Sequence, residues 1–600
     1  MSSIPLQASS GPRQSPWHGI DWAGCYRRVR SLQRRIVQAV QRGAWRKVKR
    51  LSYLLVHSFA ARALAVKRVT ENKGKKTPGI DGELWDSPER KAAAVARIGR
   101  WREYQPHPLK RVYIPKPNGK QRPLSIPVME DRARQAVYLQ VLQPIAETTA
   151  DRNSYGFRPK RRCADAIDQC FKALRQKDSA TWILEGDIEG FFDHIAFPWL
   201  EDHIPMNKQI LAKWLRCGFI DRGTLYPTTA GVPQGGVLSP VISNLVLDGL
   251  EAVVHGNSGH RRVHNINYVR WADDFIVTAT SRQELAEVVL PRIDAFLVAR
   301  GVRLSTEKTV ITPLAQGFDF LGQTIRKPER PTGKPAKLQI TPSTASFQTL
   351  KDKVRTLCKQ ARGATPEQLI NTLTPVLRGW ANYHRHTICG QTFAKLDTFV
   401  WQRVYRWAKR RHSDKTGHWI TDRYFPHQPG ESWRFTDPVT GKQLLRVREA
   451  VKPQRYLKVK GAANPFDPAW EAYFQQRDRA LALRASSPFR AKDQKFNNFP
   501  TSCAARDGPV VPFRENGIEH HRHILLEAVR TLPPGLVHFV EDVYRHAQAC
   551  VGLGLLHQLF DDVDRMKDHS LTRPRQMGEE TMLDGVVLGG IGRIVGDADL

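Results

Sequence analysis

Hydrophobic positions along this chain of 600 residues recur with two periods, which separate helical from strand-forming parts. From Trp22, the residues Val29, Leu32, Ile36 and Val40 stand at helical spacing with Arg27, Arg28, Arg34 and Arg35 between them, which predicts a basic amphipathic helix. The helical pattern continues over Ala61 to Thr70, and Asp131 to Gln140 reads as an Ala-rich helix. Farther on, Ser239-Pro240 opens an apolar helix, and Phe347, Leu350, Val354 and Leu357 line one face of another, with Lys351, Lys353, Arg355 and Lys359 nearby. Strand signals lie between these. Thr181 to Leu184 reads as a strand, and Arg111 to Pro127 as a β-hairpin turning at Asn118-Gly119. Tyr268 to Ala279 reads as strand, tight turn, strand, because apolar residues run up to an Ala-Asp-Asp tip and β-branched residues run away from it.

That tip fixes Asp273 and Asp274 side by side. Adjacent carboxylates repel, raise each other's proton affinity and destabilise a fold unless a cation lies between them, and hard oxygen ligands of this kind suit magnesium. Alone, an acidic turn between two strands needs no function. A third acid changes the picture: Asp187 stands at the end of the strand that begins at Thr181, and on a neighbouring strand it would complete a three-carboxylate cluster. Such a cluster can hold two divalent ions, one lowering the pKa of an attacking hydroxyl and the other steadying a leaving pyrophosphate, which is the chemistry of nucleotide addition. In the hairpin, Lys116 and Arg122 can project from facing strands toward one point and grip a triphosphate, Arg as a planar fork and Lys as a point charge. Cations on a surface hairpin serve solubility equally well.

Charge narrows the partners. Lys and Arg number 93 against 58 Asp and Glu, a net charge of +35 and a pI near 10.1. Excess charge of this size opposes compaction, and a polyanion is the usual compensation, so nucleic acid is indicated but not an activity on it. Aromatics interleave with cations in Leu377 to Arg385 and in Trp401 to His412, a combination that suits base stacking with backbone neutralisation, or a helical core with a basic rim. The eight cysteines, Cys25, Cys163, Cys170, Cys217, Cys358, Cys389, Cys503 and Cys550, form no Cys-x-x-Cys. Reduced thiols in an intracellular protein are expected, without a zinc ribbon. No apolar run suggests a signal peptide or a membrane span. Residues 1 to about 20, rich in Ser, Pro and Gln, are expected to be disordered.

The order of these stretches resembles a reverse transcriptase palm, with Asp187 first and then Tyr268-Val269-Arg270-Trp271-Ala272-Asp273-Asp274 as the Tyr-x-Asp-Asp box, Trp271 replacing its tyrosine. Between them lies Gly231-Val232-Pro233-Gln234-Gly235-Gly236, and upstream lie Thr77-Pro78-Gly79-Ile80-Asp81-Gly82 and Asn153-Ser154-Tyr155-Gly156-Phe157-Arg158-Pro159. The last of these, with the string Gly379-Trp380-Ala381-Asn382-Tyr383-His384, is similar to group II intron-encoded reverse transcriptases and maturases of bacteria. The resemblance implies an α+β right-hand polymerase, fingers and palm, followed by a helical thumb/maturase domain and a small basic C-terminal region. Its implied divisions are a basic helical extension at 1–69, fingers and palm at 70–326, thumb/maturase at 338–412, a DNA-binding region at 413–480, and a degenerate HNH-like or unassigned tail at 481–600.

It further implies that Asp187, Asp273 and Asp274 bind two Mg2+ ions and that Lys116, Arg122, Phe192, Gln234 and Lys308 surround the nucleotide, Phe192 as the ring that crowds a 2′-hydroxyl. Phe320, Leu321 and Gly322 would form the primer grip, and Arg34, Arg35, Trp380, Tyr383, Arg385 and Arg406 would meet RNA. The expected partners are intron RNA, an RNA template, a DNA primer or target and dNTPs, in the bacterial cytoplasm and away from membranes. His520-His521 resembles a remnant of a nuclease His pair, but the paired zinc cysteines of that nuclease are missing, so neither zinc nor endonuclease activity is expected. The rival expectations are a stand-alone reverse transcriptase for repair or defence, and a catalytically silent splicing cofactor.

Overall fold

The β-branched runs become strands, and the register of those strands positions the acids. The computed structural model describes residues 15–115, 119, 121–329, 336–426 and 434–486. Lys116, most of the expected disordered N-terminus, and the tail carrying Cys503, His520, His521 and Cys550 lie outside the described residues. In chain order the strands are β1 (Leu109–Pro115), β2 (Gln121–Ile126), β3 (Trp182–Gly186), β4 (Phe219–Asp221), β5 (Thr224–Tyr226), β6 (Asn267–Trp271), β7 (Asp274–Ala279), β8 (Val310–Pro313), β9 (Phe318–Phe320), β10 (Gln323–Arg326) and β11 (Gln339–Pro342). They form sheets ordered β2-β1-β4-β5, β6-β7-β3-β8 and β11-β10-β9.

The central sheet is antiparallel, with Trp271 opposite Asp274 across the β6–β7 turn and Gly186 opposite Phe275 between β3 and β7. One step beyond that last pair, Asp187 lies level with Asp274. A slip of one residue would send every side chain of β3 to the opposite face. The register is held from both sides, because alternate residues enter different cores. Leu184, Tyr268, Phe275 and Val277 join one, while Ile183, Val269 and Ile276 join another that includes Tyr155, Ile167 and Phe320. Burying each such side chain contributes about 1.5–3 kcal/mol. Gly186 has to lack a side chain, since a Cβ there would sit 2.2 Å from the Phe275 ring.

The first core is roofed by helices Trp22–Gln41, Trp45–His57 and Phe59–Glu71, which pack around helix Met129–Thr149. Val29, Leu32, Ile36 and Val40 are all buried, as their spacing predicts. Helix Met129–Thr149 is buried on nearly all sides, and its Arg132 donates to the carbonyls of Gly74 and Thr77, fixing the Thr-Pro-Gly loop. Gly79 in that loop lies so close that a Cβ would meet the Val128 backbone at 2.5 Å.

Helices Thr344–Gln360, Pro366–His384, Gly390–Arg411 and Gly417–Tyr424 share a separate core with Leu350, Val354, Leu377 and Phe393. The stretch expected as a distinct region at 413–480 has no core of its own among the described residues. Phe425, Phe435, Leu444 and Val447 complete the helical core, whereas Val459, Ala463 and Phe474 insert beside Tyr155 and Ile167. Helix Glu471–Ser486 runs through the expected boundary at 480.

Candidate active site

The acid cluster is assembled by two strand ends and one loop. At the β6–β7 turn Ala272 holds φ 58°, a left-handed conformation that costs a non-glycine residue about 1–2 kcal/mol. Surrounding contacts over-determine it. Arg270, fully buried, donates from Nη1 to the Ala272 carbonyl at 3.2 Å and to Asn244 Oδ1 at 3.2 Å, and from Nη2 to Asp248 Oδ1 at 3.0 Å. Asn244 in turn donates to the Gly156 carbonyl at 3.1 Å. The Asn153-to-Pro159 string runs alongside β6, Tyr155 N donating to Arg270 O at 2.9 Å and Arg270 N to Asn153 O at 3.0 Å. Gly156 therefore lies directly on the turn.

Asp187, Asp273 and Asp274 are near enough for their charges to act on one another. Lost hydration pushes the Asp274 carboxyl up to about 6, and the charges of Asp273 and Asp187 add to the rise. Asp273 is raised chiefly by burial and then by Asp187, with Arg122 and Lys308 opposing. Lys308 Nζ pairs with Asp187 Oδ2 at 2.5 Å, and this partner raises its own pKa. Its loop is pinned to the acid, since Ser305 N donates to the Asp187 carbonyl at 2.8 Å. The ligand atoms of the three acids do not all close to within 4.8 Å of one another. Hard oxygens, mutual repulsion and an arrangement wider than a closed cage fit divalent ions that keep positions free for substrate oxygens.

Around the cluster, the Gly-rich loop fits against protein on two sides. A Cβ at Gly231 would meet Phe192 O at 2.5 Å, and one at Gly235 would meet Ser125 O at 2.7 Å. Its glycines thus let two backbones approach each other, tying β2 to the segment after Asp187, with Ser125 N donating to Gln234 O at 2.7 Å. Gln234 Nε2 lies 3.5 Å from Asp193 Oδ2. Phe192 is half-buried and edge-on to Phe191, with ring centroids 5.3 Å apart.

Comparisons with known proteins follow the same order of segments. Residues 17–98 match the family described as "N-terminal domain of reverse transcriptase", residues 114–325 that described as "Reverse transcriptase (RNA-dependent DNA polymerase)", and residues 347–425 that described as "Group II intron, maturase-specific domain". Protein YkfC of Escherichia coli K12 is 32% identical over 308 residues, covering 45% of this chain and 81% of that protein. The chain belongs to the group II intron-encoded reverse transcriptase/maturase family. Group II intron-encoded protein LtrA of Lactococcus lactis is 28% identical over 361 residues, covering 49% of this chain and 60% of that one. A telomerase structure from Candida albicans aligns over 53% of this chain and 64% of that chain, at 13% identity and a TM-score of 0.31. Membership makes RNA a ligand and a divalent metal ion a cofactor. Among the described residues no helix is long and apolar enough to cross a membrane.

The reverse transcriptase keeps its remaining predicted residues in several settings. Phe320 is buried at the end of β9, and Leu321 and Gly322 form the turn to β10, both at positive φ. Tyr383 OH donates to the Leu321 carbonyl at 2.9 Å. Beside it His384, fully buried, lies 2.7 Å from Gln323 Nε2 and 3.1 Å from Ser346 Oγ, which also accepts from Trp380 Nε1. The Gly-Trp-Ala-Asn-Tyr-His string thus clamps the β9–β10 turn. Arg35 and Arg406 are exposed, Arg385 is half-buried, and Arg34 is engaged by Glu471 at 2.6 Å. Sequence reading missed the Arg270–Asn244–Asp248 network and Gly156 as supports of the turn. The available signal was an arginine set between Val269 and Trp271 in a buried strand.

Proposed function

We propose that this chain copies RNA into DNA for a group II intron and, as a maturase, binds that intron's RNA to aid its splicing and its entry into DNA. The supporting observation is the meeting of Asp187 with the Asp273-Asp274 turn, with Lys308 bonded to the first and the charge of Arg122 felt by the second. Asp187, Asp273 and Asp274 would hold two Mg2+ ions, which when bound lower the pKa of the primer 3′-hydroxyl and offset charge on the leaving pyrophosphate. Arg122, with Lys116, orients the triphosphate of a dNTP, and Lys308, exchanging Asp187 for phosphate, brings its charge to the same group. Gln234 and Phe192 shape the nucleotide pocket. The Phe320-Leu321-Gly322 turn seats the primer end, its backbone held by Tyr383. The exposed Arg35 and Arg406 supply RNA-backbone contacts, with Arg34, Trp380, Tyr383 and Arg385 lining the surfaces around them. This chemistry belongs to a nucleic-acid enzyme of the bacterial cytoplasm.

The test is Mg2+-dependent extension of a DNA primer annealed to an RNA template. Asp273→Asn is expected to reduce extension to background while intron RNA binding and splicing persist. Full extension by the purified variant overturns the site assignment, and extension by a wild-type chain that neither binds nor splices the intron identifies a stand-alone polymerase.

A further inference from the structure

We propose that His260, His264 and Glu284 form a second metal site, for a transition-metal dication of the zinc class, at the end of the β6–β7 hairpin opposite the catalytic turn. The two imidazoles stand four residues apart, one turn of the helix Ser258–Val263 and its cap, so both rings share a face, with centroids 4.8 Å apart. His-x-x-x-His is a spacing at which zinc is held. The third donor comes from the other side of the hairpin. Glu284 is 7% exposed, with Oε1 2.8 Å from His260 Nε2 and Oε2 3.4 Å from His264 Nδ1. One ligand atom from each of the three residues lies within 4.8 Å of the others. Tetrahedral ligands about 2.1 Å from a zinc ion stand about 3.4 Å from one another, comparable with the 2.8 and 3.4 Å that separate the two carboxylate oxygens from the ring nitrogens.

Two further observations point to a ligand. Glu284 Oε1 is buried and, despite its closeness to His260, has no hydrogen bond of acceptable geometry. A buried carboxylate oxygen left in this way is costly unless a cation satisfies it. Glu284 also begins a π-helical turn, Glu284–Val289, a distortion frequent at functional sites.

The location suggests what the metal does. His264 leads into β6, its carbonyl accepting from Thr280 N at 3.0 Å just after β7 ends, and Glu284 follows four residues later. A dication bridging them would staple together the two strands whose other ends carry Asp273 and Asp274. Three protein donors leave one position for water. The expectation of no zinc followed from the cysteines, whereas these donors are histidines separated from their carboxylate by two strands.

The test uses the full chain without a histidine tag. It is stripped with chelator, incubated with Zn2+ in excess Mg2+, desalted, and assayed for metal by plasma mass spectrometry beside the His260→Gln/His264→Gln double variant. The wild type is expected to retain about one more zinc ion per chain than the variant, and Zn2+ is expected to raise the melting temperature of the wild type only. Equal zinc content and equal melting shifts overturn the site. If the double variant does not fold, Co2+ loading of the wild type decides. Visible d–d absorption without a thiolate charge-transfer band supports the proposal, whereas no absorption, or a thiolate band, overturns it.

Discussion

Replacing Gly156 by Ala tests whether the β6–β7 turn, proposed above to carry the metal-binding acids, is held by its backing strand. Gly156 has no left-handed requirement, so alanine brings no dihedral penalty and only space is at issue. The added Cβ would lie 2.2 Å from Ala272 N and 2.9 Å from Trp271 C, where ordinary contact begins at 3.4 Å. The turn must therefore retreat by about 1.2 Å, the difference between 3.4 and 2.2, and a displacement of this order at reacting groups costs about 100-fold in rate. Overpacking at such a place also costs about 1–3 kcal/mol of stability, which leaves the chain folded. Single-turnover extension of a saturating primer–template should show the loss in the chemical step. RNA affinity should stay within a factor of two, since the proposed RNA contacts are elsewhere. A folded Gly156→Ala enzyme extending at the wild-type rate would refute the claim that this strand sets the position of Asp273 and Asp274.

Other expectations follow from buried charge. Arg158 and Glu147 form a buried two-pronged ion pair at 2.8 and 2.9 Å, and Arg158 also donates to the carbonyls of Asp151 and Ser154. Arg158→Met should cost about 3–5 kcal/mol in urea unfolding, because it leaves a carboxylate buried without its partner. Burial lowers the His384 imidazole to about 4 from an ordinary 6.5. The unfolded chain then takes up a proton before the folded one does, so the contribution of neutral His384 is complete above about pH 6.5 and is lost as pH falls toward 4. The loss is on the order of 3 kcal/mol, and in melting experiments His384→Gln should narrow its deficit against the wild type as pH drops from 7 to 4.

Local pattern made much of this molecule legible. The β6–β7 hairpin, the amphipathic helix at Trp22–Gln41 and the apolar face of Thr344–Gln360 each announce themselves within about 20 residues, because their periodicity is their means of burial. Asp187 is brought beside Asp274 by strand pairing, and that pairing follows from two cores each claiming alternate residues. What stayed hidden depends on partners distant in sequence. Nothing in Asn153 to Pro159 discloses that its glycine presses on residue 272, and nothing in Trp380 to His384 discloses that these polar rings clamp a β-turn. Aromatics among cations look alike whether they meet a base or a neighbouring helix. The basic composition likewise concealed that Arg34 is already committed to Glu471.

That last ion pair belongs to a larger arrangement. Glu471 joins Arg30 and Arg34, Asp467 accepts from Gln41, and Arg477 is buried against Asp165, which also accepts from Val459 N and Tyr456 OH. Residues 456–478 thus act as a girdle, lashing helix Trp22–Gln41 to the back of the β6-β7-β3-β8 sheet. A gene trimmed just past the last thumb helix would encode every motif of the enzyme yet strip Val459 and Phe474 from beneath that sheet. A version of this polymerase that keeps this support under the sheet has to run at least through Arg477.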